Sequence, residues 1–158
     1  TVPRCLTRKG TKLLQRPVYD KKAVRSEENF TTLSDHLLIG AVKVQAKDLS
    51  DFSVHLRKAG ENETLFELKD EEWVFDRSRS GTPISGAEKD ADSLAGIRRM
   101  PFERSEETEI EIVSDQFSLE IFVNGISMSN VICPPLGADG LELSISARSC
   151  QYTRYEIK

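Results

Sequence analysis

The sequence offers little with which to hold a metal ion or a disulfide framework. It has three cysteines, Cys5, Cys133 and Cys150, and two histidines, His36 and His55. No Cys-x-x-Cys pair occurs and no cysteine lies near either histidine, whereas a zinc site needs such ligands clustered. A small secreted scaffold carries an even and denser cysteine set. The odd count fits idle thiols in a reducing compartment. No metal and no cofactor are expected. The triplets Asn29-Phe30-Thr31 and Asn62-Glu63-Thr64 match the glycosylation acceptor, which has meaning only on a secretory route.

A basic excess is also missing. Lys and Arg number 22 against 26 Asp and Glu, a formal net charge of -4 over 158 residues. A nucleic-acid binder normally carries a basic stripe that neutralises phosphates, so no nucleic-acid partner is expected. The longest apolar stretch, Leu37–Val42, is far short of the roughly 20 residues that cross a bilayer, so no membrane partner is expected either. Residues Thr1–Cys5 hold no signal-peptide core. The chain is expected to be intracellular, or to be cut from something longer.

Catalytic signatures are absent in the same way. There is no Gly-x-Ser-x-Gly elbow and no Gly-rich phosphate loop after a strand. Carboxylates are plentiful, so a glycosidase-like pair has to be considered. Glu106, Glu107, Glu109 and Glu111 read instead as the solvated lead-in and polar face of an amphipathic strand. Glu120 reads as exposed and His55 as a solvated side chain on a polar strand face. Trp73 is the one candidate substrate-binding residue, as a sugar-stacking platform. Its neighbours Val74 and Phe75 favour a core position instead.

What is present is a strong period of two. Val42, Val44 and Ala46, with Leu38 before them, alternate with Lys43, Gln45 and Lys47. Phe52, Val54 and Leu56 alternate with Ser53, His55 and Arg57. Further strands are predicted at Leu65–Leu68, Trp73–Phe75, around Ile110 and Ile112, over Phe117–Val123, from Ile126 to Ile132, over Leu141–Ala147 and over Tyr152–Ile157. Asn124-Gly125 marks a two-residue hairpin, because both central positions of its turn need φ > 0. Residues 76–93 read as a long loop. Phe117, Leu119, Ile121 and Val123 are predicted to face the core within two consecutive hairpins over Ile110–Ile132. Eight or nine short strands and no helix beyond two turns predict an all-β fold. A two-sheet antiparallel β-sandwich, jelly-roll or concanavalin-like, is expected, and an eight-stranded barrel fits the same pattern.

Residues 1–30 differ in character. They carry eight basic side chains against three acidic ones, with Pro3 and Pro17, and too few apolar residues for a core. A short extended piece is predicted at Leu13–Arg16 and a turn of helix at Lys21–Glu27. The division expected is a linker arm over 1–30 and a sandwich over 31–158, with the arm removable from the sandwich. An exposed arm edge would be mobile or held by a second copy, so a homodimer is considered.

Specific stretches resemble family 32 of the glycoside hydrolases, the invertases, sucrose-6-phosphate hydrolases and fructanases. Asp115–Gly125, Asp-Gln-Phe-Ser-Leu-Glu-Ile-Phe-Val-Asn-Gly, resembles a stretch in that family's C-terminal β-sandwich. Phe75–Gly81 resembles its Asp-Arg-Ser-x-Ser-Gly strand and loop. Pro3-Arg4-Cys5-Leu6 with Leu14-Gln15-Arg16-Pro17 resembles the segment that leaves the catalytic propeller. Ala138–Leu143 is similar to the end of the intracellular bacterial sucrose-6-phosphate hydrolases. Cys5 stands where glutamate is usual, Gln116-Phe117 replaces a more polar pair, and no Asp separates Asn124 from Gly125.

The resemblance implies a non-catalytic C-terminal module of a β-fructofuranosidase-type enzyme. The family's nucleophile, stabiliser and acid/base motifs, Asn-Asp-Pro-Asn-Gly, Arg-Asp-Pro and Glu-Cys, do not occur here. No catalytic residue is therefore assigned. The implied partner is an N-terminal five-bladed propeller of the same parent protein, and the implied setting is the bacterial cytoplasm. The alternative function is a carbohydrate-binding module that holds fructan or sucrose on one sheet face.

Overall fold

The computed structural model describes residues 2–84 and 95–157. Of the loop expected over 76–93, residues 85–93 lie outside the described residues. Fourteen strands run through the described part. They are β1 (Arg4–Lys9), β2 (Lys12–Pro17), β3 (Lys21–Glu28), β4 (Thr32–His36), β5 (Gly40–Lys47), β6 (Asp51–Ala59) and β7 (Asn62–Lys69). There follow β8 (Glu72–Asp76), β9 (Ile97–Pro101), β10 (Glu107–Asp115), β11 (Ser118–Val123), β12 (Ile126–Val131), β13 (Gly140–Ser146) and β14 (Ser149–Ile157).

The strands form two six-stranded sheets, ordered β12-β11-β10-β5-β14-β3 and β4-β13-β6-β7-β8-β9, plus the separate hairpin β1-β2. All pairings within them are antiparallel. This is a sandwich, and two separate sheets replace the barrel alternative. Between the sheets lie Val42, Val44, Ile110, Ile112, Leu119, Ile121 and Tyr152 from one side. Phe52, Val54, Leu56, Phe66, Trp73, Phe75, Leu141 and Leu143 come from the other. Registers such as Val42↔Ile112↔Ile121 align these side chains across strands, as the period of two requires.

The predicted hairpins β10-β11 and β11-β12 are present, and Asn124 and Gly125 have φ of 48° and 82°. Phe117 is a correction: it sits in the turn before β11 and is 54% exposed, while Leu119, Ile121 and Val123 are buried. Leu38 is likewise outside β5 and partly exposed, and Leu37 takes the buried place. The helical turn expected at Lys21–Glu27 is instead strand β3, paired with β14 from Lys21↔Ile157 to Glu28↔Gln151. No apolar face on those residues announces a strand. Backbone hydrogen bonds to β14 make it one, and its charged side chains suit a sheet edge. Strand pairing thus extends into the 1–30 segment. The strand total exceeds the eight or nine read from the sequence because short polar edge strands carry little periodicity.

Candidate functional site

The first sheet is covered on part of its outer face as well as on its core face. Its outer side carries a small apolar cluster, Ala41, Val113 and Phe122, packed with Val2, Tyr19, Tyr155 and Ile157. The cover is the strap formed by Val2, hairpin β1-β2 and residues 18–21. Two carboxylates lie beneath it on adjacent strands. Glu120 of β11 is 2% exposed, and Glu111 of β10 is 7% exposed. Arg4 reaches Glu120 Oε2 at 2.6 Å, and the Val2 backbone N–H donates to Glu120 Oε1 at 2.7 Å. The Arg4 guanidinium also donates to Ser127, Ser129 and Gln15 and stacks over Phe122, 5.2 Å from the ring centre. The Tyr19 hydroxyl donates to Glu111 at 2.5 Å, and Lys21 Nζ lies 3.0 Å from the same carboxylate. Burial and then Glu111 push the Tyr19 hydroxyl above the usual tyrosine range, so it stays a donor.

Glu111 and Glu120 are corrections to the sequence reading, which placed both in solvent. The overlooked signal was the company they keep. Val113 and Phe122 are large apolar residues on the supposed solvent face of their strands, and such a face needs a cover. The cations that answer the two carboxylates lie about a hundred residues away in sequence, beyond any local pattern.

The stretch Phe75–Gly81 also finds a structural account. Asp76 Oδ1 accepts from the Ser78 N–H, Ser80 donates to the Arg77 carbonyl, and Arg77 donates to the Val131 carbonyl. Gly81 has φ of 119°, and a Cβ there would lie 2.3 Å from the Cys133 carbonyl oxygen. The segment is a buckle that ties the end of β8 to the end of β12, and only glycine fits where the two backbones meet.

The family described as glycosyl hydrolases family 32 C terminal matches residues 11–158. This chain belongs to that family. No curated protein matches the sequence. Exo-inulinase from Aspergillus awamori shares the fold at a TM-score of 0.72 and 21% identity, covering 100% of this chain and 35% of its own. Sucrose-6-phosphate hydrolase from Lactobacillus gasseri does so at 0.76 and 13%, covering 98% and 33%. A Bombyx mori β-fructofuranosidase does so at 0.67 and 13%, covering 100% and 32%. The chain thus spans about a third of the length of these solved relatives.

Within this family 32 C-terminal domain, Trp73, the candidate for a sugar platform, takes the core position that its neighbours Val74 and Phe75 favour. It is 1% exposed, stacked on Phe66 at 5.1 Å and met edge-on by Phe52 and Phe102. His55 is half-buried rather than solvated, its Nδ1 2.7 Å from Glu63 Oε2, and Arg79 pairs with the other Glu63 oxygen. His36 lies on the surface 3.3 Å from Asp139. Among the described residues no group of three His, Cys, Asp or Glu is placed to hold a metal ion. The three cysteines are free.

A concavity of about 1330 Å³ opens between the tip of hairpin β1-β2, the first sheet and the end of β9. Lys9, Lys12 and Arg16 stand on one wall, with Gln45, Glu109 and Gln151 on the other. Its charges are largely engaged already: Lys12 with Glu103, and Glu109 with Lys43. A glycosidase centre needs a free acid and nucleophile facing one space, and here Glu103, Glu107 and Glu109 each pair with a lysine.

Proposed function

We propose that the chain serves as the non-catalytic C-terminal module of a β-fructofuranosidase-type glycosidase acting on sucrose or related fructosides. Its role is to support the catalytic domain, a five-bladed propeller in the reading the sequence resemblance supplies. The observation that carries this is the family match over residues 11–158, joined to a sandwich whose buried carboxylates are each held by a cation. Retaining hydrolysis needs a carboxylate nucleophile and a protonated acid about 5 Å apart across the scissile bond. Glu111 and Glu120 are spent on the strap and Glu63 on His55 and Arg79. The bacterial cytoplasm is the compartment of this reading, and the three free thiols support it.

The test is direct. Purified chain is incubated with sucrose, sucrose 6-phosphate and inulin. No turnover is the expected result. Hydrolysis that survives repurification and scales with chain concentration would overturn the proposal.

A further inference from the structure

We infer that the strap Val2–Lys21 is a two-point lock in which Arg4 and Lys21 are positioning residues that fix how the N-terminal chain enters the sandwich. The inference rests on reading the strap as the connection to a catalytic domain. A linker between domains is ordinarily solvated and mobile. This one is held at both ends by buried charge.

At the first end, Arg4 stands at the start of β1 and answers Glu120, which is 2% exposed. Ser127, Ser129 and Gln15 accept from the two terminal nitrogens as well, which narrows the guanidinium to one orientation. At the second end, Lys21 opens β3 and answers Glu111, with Tyr19 donating to the same oxygen. The Lys21 ammonium lies 4.5 Å from the centre of the Tyr155 ring and 5.2 Å from that of Tyr19. Between the two ends the hairpin touches the sandwich through the Gln15 N–H to the Gly125 carbonyl at 2.7 Å, and through the exposed pair Lys12–Glu103. That outer pair is screened by solvent and holds weakly. The inner pairs hold more strongly, because each cation answers a carboxylate buried beneath apolar cover, where solvent screens little. One anchor would leave the strap free to pivot. Two anchors, on adjacent strands β10 and β11, fix a line.

The experiment reads hydrogen exchange of residues 4–17 in the full chain by mass spectrometry. Arg4→Gln and Lys21→Gln should each lower protection there by about tenfold or more, with Trp73 fluorescence unchanged. Lys12→Gln should change it by less than about twofold, as an exposed pair does. Adding Glu120→Gln to Arg4→Gln should restore part of the protection, because the buried charge that Arg4 answered is gone. Independent contributions from Arg4 and Glu120 would give losses that multiply instead. Unchanged exchange in Arg4→Gln, or multiplying losses in the double variant, overturns the lock. A second measurement separates the lock from the functional reading. Small-angle scattering of the chain joined to a family 32 catalytic domain should give a compact particle, and Arg4→Gln a more extended one. A flexible tandem in both, with exchange behaving as stated, leaves the lock standing and overturns its role between domains.

Discussion

Single side chains show how burial, not residue type, sets consequence. Leu119 and Ile121 are 0% and 1% exposed between the sheets, and replacing either with alanine should cost about 2–5 kcal/mol. Phe117 is larger but 54% exposed, and Phe117→Ala should cost less than about 1 kcal/mol. Urea denaturation of the three variants checks the order, and equal losses would mean the turn residue is misassigned. Two tyrosines supply a pH signature. Burial first, then Glu111 for Tyr19 and Asp35 for Tyr152, raises both hydroxyls above the ordinary value. A raised group contributes stability in full below the unfolded value, about pH 10, and loses it as pH climbs beyond that. Ultraviolet titration should therefore find Tyr19 and Tyr152 silent until the fold is lost, and the denaturation midpoint should fall above about pH 10. Tyrosinate absorbance from both residues in folded protein near pH 10 would contradict the burial.

At the scale of elements, the strap and β3 make contacts that composition does not announce. The basic, broken residues 1–30 read as removable. In the fold they cover Phe122, Val113 and Ala41 and supply the edge strand of a six-stranded sheet. Uncovering Phe122 alone should cost roughly 1.5–3 kcal/mol, and deleting residues 1–20 should lower the thermal midpoint accordingly. Deleting residues 1–28 removes β3 as well and strips Arg25 from Asp35, which also holds the Tyr152 hydroxyl at 2.9 Å. Calorimetry of the two truncations should show a stepwise loss. An unchanged midpoint in the shorter truncation would mean that the strap adds nothing to the sandwich.

The molecule as a whole is knit by long-range pairing. The last strand, β14, lies between β5 and β3, and β13 joins β4 to β6, so neither sheet closes before the chain is complete. Such topology folds slowly, in milliseconds to seconds, because loop closure precedes any reward from contact. Trp73 is the one tryptophan and is stacked on Phe66 in the core, so its fluorescence reports that closure. Refolding followed by stopped flow should fall in that range, and a microsecond phase carrying the full amplitude would contradict it.

The sequence by itself determined the all-β class, the strands β5, β6, β10, β11 and β13, and the Asn124-Gly125 turn. Each of these rests on a local rule, the period of two or the demand for positive φ. The same reading placed Leu119 and Ile121 inside, and their burial agrees. Only the tertiary structure decided the fate of β3, Trp73, Glu111 and Glu120. An edge strand is made by its neighbour's backbone, and β3 has no apolar stripe to announce it. A carboxylate is buried or solvated according to what covers it, and the cover here comes from Arg4, Tyr19 and Lys21, remote in sequence. Alternation along a strand tells which residues share a face. It does not tell whether that face meets water, because that depends on which distant segment lies across it.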